Sequence, residues 1–172
     1  MKQLILGGMK SGKSRLAESL AKETNKKIIY IATSTANDKE MLSRVKKHQE
    51  FRPADWLTIE EPVKLADTLK NNANKETCIL IDCLTLWLTN LLMQEDDSLE
   101  NEISNLLKVL PDLPGDIIFV SNETGLGIIP MGDLTRRFCD EAGLLHQNIA
   151  ELCDRVVFTV AGLPHVLKGD KI

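Results

Sequence analysis

Short apolar runs alternate with segments of helical spacing along the whole chain. The runs show no clear apolar–polar alternation, which is typical of strands that are buried on both faces. They predict strands at Lys2–Leu6, Ile28–Ala32, Cys78–Asp82, Ile117–Val120 and Arg155–Val160, with a short extended segment at Trp56–Ile59. Strands of this kind, separated by helices, form mostly parallel sheets with helices packed on both faces.

The intervening segments predict helices over Gly12–Glu23, Asp38–Glu50, Pro62–Asn71, Leu84–Met93, Leu99–Leu110 and Asp133–Leu152. Pro62 suits the first turn of its helix, where no intrahelical N–H bond is lost. Gly162–Pro164 predicts a turn into an antiparallel C-terminal edge strand, His165–Lys168. We therefore expect one α/β domain spanning residues 1–172, with its ligand beyond the carboxyl ends of the strands.

A glycine-rich loop joins the first predicted strand to the first predicted helix. The loop fits the pattern G-x-x-x-x-G-K-[ST] in the strand–loop–helix context that the pattern requires, and its residues are Gly7, Gly8, Met9, Lys10, Ser11, Gly12, Lys13 and Ser14. Gly7 and Gly12 allow backbone N–H groups to converge on phosphate oxygens, and the following helix adds its positive dipole end. Lys13 supplies a charge for the β- and γ-phosphates, and Ser14 a hydroxyl for Mg²⁺. The loop predicts a P-loop NTPase-like three-layer fold that binds a nucleoside triphosphate.

Composition narrows the choice of partners and compartment. The 172 residues carry a net charge of −4, so no basic field argues for nucleic acid binding. The four cysteines and three histidines show no zinc-ligand spacing, and free thiols in a reducing compartment are expected. The N-terminus leads directly into a strand, and no apolar run is long enough to cross a bilayer. The sequence therefore predicts a cytoplasmic protein without a membrane span.

Polar residues follow several predicted strands and are candidates for the site. Asp82 ends its strand as the second Mg²⁺-holding acid of nucleotide-binding domains does, although a strand-terminal aspartate also caps turns. Glu60 and Glu61 are candidates for ribose or base contacts, but a Glu-Glu-Pro sequence before a helix more often marks the helix N-terminus. Equivalent rim positions are occupied by Thr33, Ser34, Asn122 and Glu123.

The second predicted helix carries a histidine on its apolar face. Met41, Val45 and His48 fall at i, i+4 and i+7. Arg44, His48 and Arg52 are spaced by four, so two guanidinium groups would flank the ring and keep it neutral and nucleophilic, or would clamp a phosphate. On spacing alone, a packed or helix-end histidine is the favoured interpretation.

Several sequence blocks are more specific as a set than the glycine-rich loop is alone. They are Ile5–Ser14, Tyr30–Ser34, Arg44–His48 continuing to Arg52-Pro53 and Trp56, Ile81–Asn90, Ser121–Pro130, Asn148–Ala150 and Ala161–Pro164. Together they resemble the bifunctional adenosylcobinamide kinase / adenosylcobinamide-phosphate guanylyltransferase family of cobalamin biosynthesis, over nearly the whole chain.

The resemblance implies two reactions and a set of site residues. A nucleoside triphosphate, ATP or GTP, phosphorylates the aminopropanol hydroxyl of adenosylcobinamide, and GTP then transfers GMP through a histidine that falls on His48. This reverses the preference for a structural His48. The resemblance also implies a homotrimer with a shared site, and Ser14 and Asp82 are the expected Mg²⁺ ligands. The implied nucleotide contacts are the glycine-rich loop and Ala32, Thr33, Ser34, Gln49, Glu50, Phe51, Arg52, Glu60 and Asp82.

Two departures and two alternatives accompany this interpretation. Met9 and Lys10 occupy the variable places of the loop, and Gln49–Phe51 is less basic than the family pattern, which weakens the phosphate-clamp argument. The alternatives are a monofunctional P-loop small-molecule kinase with a structural His48, and a nucleotide-gated switch without turnover.

Overall fold

The computed structural model of the chain describes residues 1–34, 56–94 and 98–172. Seven strands form one sheet in the order β3-β2-β4-β5-β1-β6-β7. The strands are β1 (Lys2–Gly7), β2 (Lys27–Ala32), β3 (Leu57–Glu60), β4 (Thr77–Asp82), β5 (Asp116–Asn122), β6 (Arg155–Val160) and β7 (Leu163–Lys168). The described helices are α1 (Lys13–Glu23), α2 (Leu65–Asn72), α3 (Leu84–Leu92), α4 (Ser98–Val109) and α5 (Asp133–Leu152), with a 3₁₀ turn at Leu110–Asp112.

The sheet is parallel in all of its strand pairs except the antiparallel pair β6–β7. This confirms the predicted mostly parallel sheet with an antiparallel C-terminal edge. β1 lies between β5 and β6, and its last residue, Gly7, is in register with Asn122 on one side and Thr159 on the other. Ala32 is in register with Asp82. The carboxyl ends of the central strands therefore meet at one edge of the sheet, where the glycine-rich loop begins.

Two apolar layers cover the two faces of the sheet. Ile5 and Ile118 point into the layer under α1, whereas their neighbours Leu4 and Ile117 point into the layer that contains residues of α2, α3, α4 and α5. All four side chains are fully buried. Successive residues of a central strand point into opposite layers, and both layers exclude water. The side chains on both faces of these strands must therefore be apolar. This is why the central strands lack polar alternation.

The start of α2 differs from the prediction. The helix begins at Leu65 and not at Pro62. The Glu61 carboxylate accepts the N–H groups of Val63 at 2.9 Å and Lys64 at 2.7 Å, which holds this segment as a turn ahead of the helix. The prediction that Pro62 lies in the first helical turn is therefore wrong, because a side chain satisfies the N–H groups that a first turn would leave open.

The C-terminal hairpin is also tighter than predicted. Ala161 and Gly162 have φ values of 52° and 79°, so a two-residue turn joins β6 to β7. β7 consequently begins at Leu163 and not at His165. Two residues with positive φ match the twist of the flanking strands, which explains the short connection. The predicted helix over residues 38–50 lies outside the described residues.

The cysteines are free thiols, three of them buried. Burial raises the pKa of Cys78 and of Cys83 to about 11, and that of Cys153 to about 12. None of the helices within residues 1–34, 56–94 and 98–172 is long and apolar enough to cross a bilayer.

Candidate nucleotide-binding site

The P-loop, Gly7–Ser14, follows β1 and leads into α1. Gly12 adopts φ 98° at the N-cap of α1, a conformation that glycine accommodates without a Cβ penalty. Its carbonyl accepts the Leu16 N–H at 3.0 Å, and the Ser11 N–H is bonded to the Gly8 carbonyl at 3.2 Å. The loop is thus closed on itself and aims the N-terminus of α1 outward from the carboxyl edge of the sheet. This is the backbone arrangement that binds phosphate oxygens.

The β6–β7 turn packs against the P-loop. The Gly162 N–H donates to the Ser11 carbonyl at 2.8 Å. A Cβ at Gly12 would lie 3.0 Å from the Gly162 Cα, and a Cβ at Gly7 would lie 2.6 Å from the Thr159 carbonyl oxygen. Both glycines are therefore required by close backbone approach as well as by loop conformation. The sequence pattern did not predict this contact with the C-terminal hairpin.

Lys13 and Asp82 face each other across the base of the loop. The Lys13 side chain is buried, and its Nζ donates to the Gly8 carbonyl at 3.1 Å. Burial lowers the pKa of Lys13, and the carboxylate of Asp82 opposes that shift. Asp82 is half-buried at the carboxyl end of β4. A cationic donor and a carboxylate thus lie together at the base of the loop, and contacts of Lys13 and Asp82 with a bound triphosphate and its Mg²⁺ stay predictions.

Two oxygen donors at this edge suit a hard divalent cation. Ser14 lies half-exposed in the first turn of α1, and Asp82 presents its carboxylate beside Lys13. A hydroxyl and a carboxylate, completed by phosphate oxygens and water, form the donor set that Mg²⁺ takes in P-loop proteins. The residues present therefore fit the ion. Within the described part of the chain, no group of three or more histidine, cysteine, aspartate or glutamate side chains forms a metal site of its own.

Thr33 holds two strand ends together. Its side chain is fully buried, with Oγ1 donating to the Cys83 carbonyl at 2.7 Å and accepting the Cys83 N–H at 3.0 Å. Its carbonyl accepts from Asn90 Nδ2 at 2.7 Å, and the same amide donates to the Pro62 carbonyl at 3.1 Å. These bonds fix the ends of β2 and β4 beside the P-loop. A nucleotide contact by Ala32, Thr33 or the half-buried Ser34 stays a prediction.

The two adjacent glutamates have different environments. The Glu61 carboxylate accepts from the Thr68 hydroxyl at 3.2 Å in addition to the two backbone N–H groups before α2. Glu61 therefore holds the turn ahead of α2, and its contact with a ribose or base stays a prediction. Glu60 is exposed at the end of β3, and its predicted contact with the nucleotide stays a prediction. Five further predicted residues lie outside the described residues: His48, Gln49, Glu50, Phe51 and Arg52.

A buried polar network that no sequence pattern predicted lies beside the P-loop. We call it the β5–α5 network, and it consists of Thr85, Ser121, Glu123 and His146. His146 Nε2 is 2.8 Å from Ser121 Oγ, which is 3.2 Å from Thr85 Oγ1, and His146 Nδ1 is 3.6 Å from Glu123 Oε2. Burial lowers the pKa of His146, and Glu123 opposes that shift.

One sequence signal could have indicated the burial of His146. Ala142, Leu145, His146 and Ile149 form the buried face of α5 at helical spacing. The histidine therefore occupies a core-facing position, where a polar side chain requires a partner. The spacing does not reveal which partner, because Ser121 lies in the distant strand β5 and Glu123 directly follows that strand.

The closed loop, the buried lysine and the facing aspartate define a P-loop nucleotide-binding protein. Two solved structures share the fold. RadB recombinase matches with a TM-score of 0.53 at 15% identity, covering 91% of this chain and 73% of its own. A protein of Pyrococcus horikoshii, known as PH0250, matches with a TM-score of 0.55 at 11% identity, covering 99% and 87%. At these identities the likeness shows the fold alone.

Sequence comparison identifies the family within that class. The profile of the family described as cobinamide kinase / cobinamide phosphate guanyltransferase matches residues 3–167. The chain belongs to this family of enzymes, which confirms the resemblance drawn from the sequence blocks.

Two relatives cover almost the same length. The chain is 58% identical to the bifunctional adenosylcobalamin biosynthesis protein CobP of Pseudomonas aeruginosa over 173 residues, covering 100% of both chains. It is 33% identical to the bifunctional adenosylcobalamin biosynthesis protein CobU of Escherichia coli, covering 93% of this chain and 96% of the relative.

Proposed function

We propose that this chain phosphorylates adenosylcobinamide on its aminopropanol hydroxyl and then transfers GMP from GTP, through a guanylylated His48, to give adenosylcobinamide-GDP. Kinase and guanylyltransferase activities on cobinamide are those of the family to which the chain belongs. The observation that carries the proposal is the P-loop with its buried Lys13 beside Asp82, in a chain that matches the family over residues 3–167.

The described residues account for binding of the triphosphate. Backbone N–H groups of the P-loop and the N-terminal dipole of α1 contact phosphate oxygens, and Lys13 exchanges its bond with the Gly8 carbonyl for the β- and γ-phosphates. Ser14 and Asp82 are the residues that would hold Mg²⁺, which when bound neutralises charge on the departing phosphate group. The same cradle serves both reactions, since each expels a phosphate-containing leaving group.

His48 accounts for the second reaction. Its neutral imidazole attacks the α-phosphorus of GTP, pyrophosphate leaves, and the phosphate of adenosylcobinamide phosphate then takes GMP from the histidine. Gln49, Glu50, Phe51 and Arg52 follow His48 directly and are proposed to contact the GTP, together with Ala32, Thr33, Ser34 and Glu60. We expect a homotrimer in which a neighbouring copy completes the site, and light scattering of the purified protein measures this.

Labelling with GTP tests the histidine directly. With GTP labelled at the α-phosphate, the wild-type protein should acquire a bound label that is labile to acid and stable to alkali. His48→Ala should abolish the label. The matched control is His165→Ala, because His165 is exposed on the edge strand β7 and should leave labelling unchanged.

Two results would contradict the proposal. A wild-type protein that phosphorylates adenosylcobinamide but never carries a GMP label would be a monofunctional kinase. A protein that binds GTP tightly, yet neither phosphorylates adenosylcobinamide nor releases pyrophosphate with adenosylcobinamide phosphate, would be a nucleotide-gated switch.

A further inference from the structure

Glu123 lies at the P-loop without a role in the reactions described above. It follows β5 directly, and its backbone N–H donates to the carbonyl of Gly7, the first residue of the P-loop, at 3.1 Å. Its side chain is 20% exposed and follows the carboxyl end of β5. We expect a group that approaches the γ-phosphate from beyond that edge to pass near this side chain.

The carboxylate of Glu123 is held from two sides. Its Oε1 accepts the Gly125 N–H at 2.5 Å, and its Oε2 faces His146 Nδ1 at 3.6 Å. The Gly125 bond and the neighbouring imidazole both orient the carboxylate, and such preorganisation is what a reacting group requires.

The bonds of the β5–α5 network are compatible with one chain of protons that ends at Glu123. Thr85 Oγ1 accepts the Asn122 N–H at 2.8 Å and can donate to Ser121 Oγ, which can in turn donate to His146 Nε2. A neutral His146 that accepts at Nε2 carries its proton on Nδ1, the nitrogen that faces Glu123. Burial lowers the pKa of His146, which favours the neutral ring. In this arrangement the ring presents an N–H toward the Glu123 carboxylate, 3.6 Å away, and carries no positive charge.

The other described carboxylates near this edge have different environments. Asp82 lies beside Lys13 and is the proposed Mg²⁺ ligand. Glu61 is bonded to the turn before α2, and Glu60 ends β3, which is separated from β1 by three strands. Of the described carboxylates that end or follow a strand at this edge, Glu123 alone is bonded through its backbone to the P-loop.

We propose that Glu123 accepts the proton of the hydroxyl that attacks the γ-phosphate in the kinase reaction, and that His146 positions its carboxylate. This inference rests on the proposed kinase function. The hydroxyl oxygen forms a bond to the γ-phosphorus while its proton passes to a Glu123 oxygen. The bond between the γ-phosphorus and the β,γ-bridging oxygen breaks, and its electron pair leaves with the nucleoside diphosphate. Glu123 then releases the proton to solvent. A positioned carboxylate serves as the base in protein kinases in the same chemical way.

Glu123→Gln tests the base, because it keeps the shape and removes the proton acceptor. Phosphorylation of adenosylcobinamide should fall by roughly 10²–10⁴-fold in kcat, with little change in the KM for the nucleotide. Self-labelling by α-labelled GTP, and GMP transfer to preformed adenosylcobinamide phosphate, should stay within a few-fold of wild type. The matched control is Glu151→Gln, an exposed residue at the end of α5, which should keep both activities.

Two outcomes would overturn this inference. In one, Glu123→Gln keeps kinase activity within a few-fold of wild type. In the other, both activities fall together with nucleotide binding, which would make the role of Glu123 structural. Either result is distinguishable from failure of the proposed function, which would appear in the wild-type protein as missing GMP label or missing cobinamide phosphorylation.

Variants of His146 test the positioning role. His146→Ala should lower the kinase kcat by about tenfold, the loss expected when a polar contact to a charged group is removed. GMP transfer to preformed adenosylcobinamide phosphate should stay within a few-fold of wild type in the same variant. His146→Asn places an amide N–H near the former Nδ1 and should restore the kinase kcat. An unchanged kinase kcat in His146→Ala, or no rescue by His146→Asn, would overturn the positioning role.

Discussion

Two neighbouring regions at the carboxyl edge of the sheet are built by different means. The P-loop is shaped by backbone, since Gly7 lies close to β6, Gly12 lies close to the β6–β7 turn, and the Gly162 N–H donates to the Ser11 carbonyl. The β5–α5 network is shaped by side chains from β5, α3 and α5 that bond to one another. In the first region an added Cβ at Gly7 or Gly12 would meet neighbouring backbone, whereas in the second the loss of a donor or acceptor would leave a buried polar atom without its partner.

This difference determines how each region should respond to substitution. Damage to the P-loop should abolish nucleotide use in both reactions. Damage to the β5–α5 network should lower stability or one reaction and leave nucleotide binding intact. The following substitutions test this division, from the largest expected effect to the smallest.

Lys13→Met should have the largest effect. It removes the charge that we propose contacts the phosphates and keeps an apolar side chain of similar length. Loss of one such stabilising group typically lowers kcat by roughly 10²–10³-fold, and here both cobinamide phosphorylation and GMP transfer should fall. Rates of the two reactions, with circular dichroism as a check on folding, measure this. Lys75→Met, at an exposed position before β4, is the control. If Lys13→Met kept one of the two activities, the two reactions would not both depend on phosphate binding by the P-loop.

Gly7→Ala should come next. The new Cβ would lie 2.6 Å from the Thr159 carbonyl oxygen, so β1 and β6 must move apart where the P-loop begins. We expect a loss of about 3 kcal/mol in the free energy of unfolding and weakened nucleotide binding, measured by urea denaturation and calorimetric titration.

The control for Gly7→Ala is Gly143→Ala within α5. A Cβ there meets no atom within 4 Å, and alanine suits a helix better than glycine. Its stability should stay level or rise. Unchanged nucleotide affinity in Gly7→Ala would argue that the close approach to β6 does not shape the loop.

Ser121→Ala should have a moderate effect that falls on the other region. It removes the hydroxyl between Thr85 and His146 and leaves buried polar atoms without a partner. The expected loss is about 1–3 kcal/mol in the free energy of unfolding, with the dissociation constant for GTP close to that of wild type. If the GTP affinity of Ser121→Ala fell as far as that of Gly7→Ala, the β5–α5 network would also shape the nucleotide site, which contradicts the expected difference between the two regions.

The smallest effect should appear in the pH dependence of stability. Burial lowers the pKa of His146 below its ordinary value of 6.5. As pH falls below 6.5, the unfolded chain takes up a proton that the folded chain does not, so stability decreases until the pH reaches the folded-state pKa. The facing charge is Glu123, which limits the shift.

His146→Asn should remove this contribution and flatten the loss of stability between about pH 6.5 and the folded-state pKa. Denaturation midpoints across that range measure the slope, and His165→Asn, at an exposed residue, should leave it unchanged. A slope in His146→Asn equal to that of wild type would mean that His146 takes up its proton alike in both states.

Most of the fold could be predicted from the sequence because the patterns that indicate its strands, its helices and the P-loop are local. Each central strand is a continuous apolar run, and the P-loop is a contiguous pattern flanked by a strand and a helix. The start of α2 was predicted wrongly because the Glu61 carboxylate competes for backbone N–H groups that the pattern assigns to a helical turn.

The part of the site that sequence patterns did not reveal depends on tertiary contacts. The Gly162–Ser11 bond joins opposite ends of the chain, and His146 finds Ser121 and Glu123 only after α5 packs on the sheet. Neither contact has a spacing that local periodicity detects. Thr33 shows the same limit, because its rim position suggested a ligand contact while its side chain bonds to Cys83.

The position of β1 has a consequence for synthesis of the protein. β1 is made before β5 and β6, the strands with which it pairs, and the P-loop is bonded to the β6–β7 turn, which is made later still. At an elongation speed of about 5–20 residues per second, a ribosome needs on the order of ten seconds to reach that turn after completing the P-loop. During that interval the nascent chain contains the P-loop sequence, but the loop lacks its bond to the β6–β7 turn. Premature termination before Gly162 should therefore yield a product that cannot sequester GTP, and not a partly active enzyme.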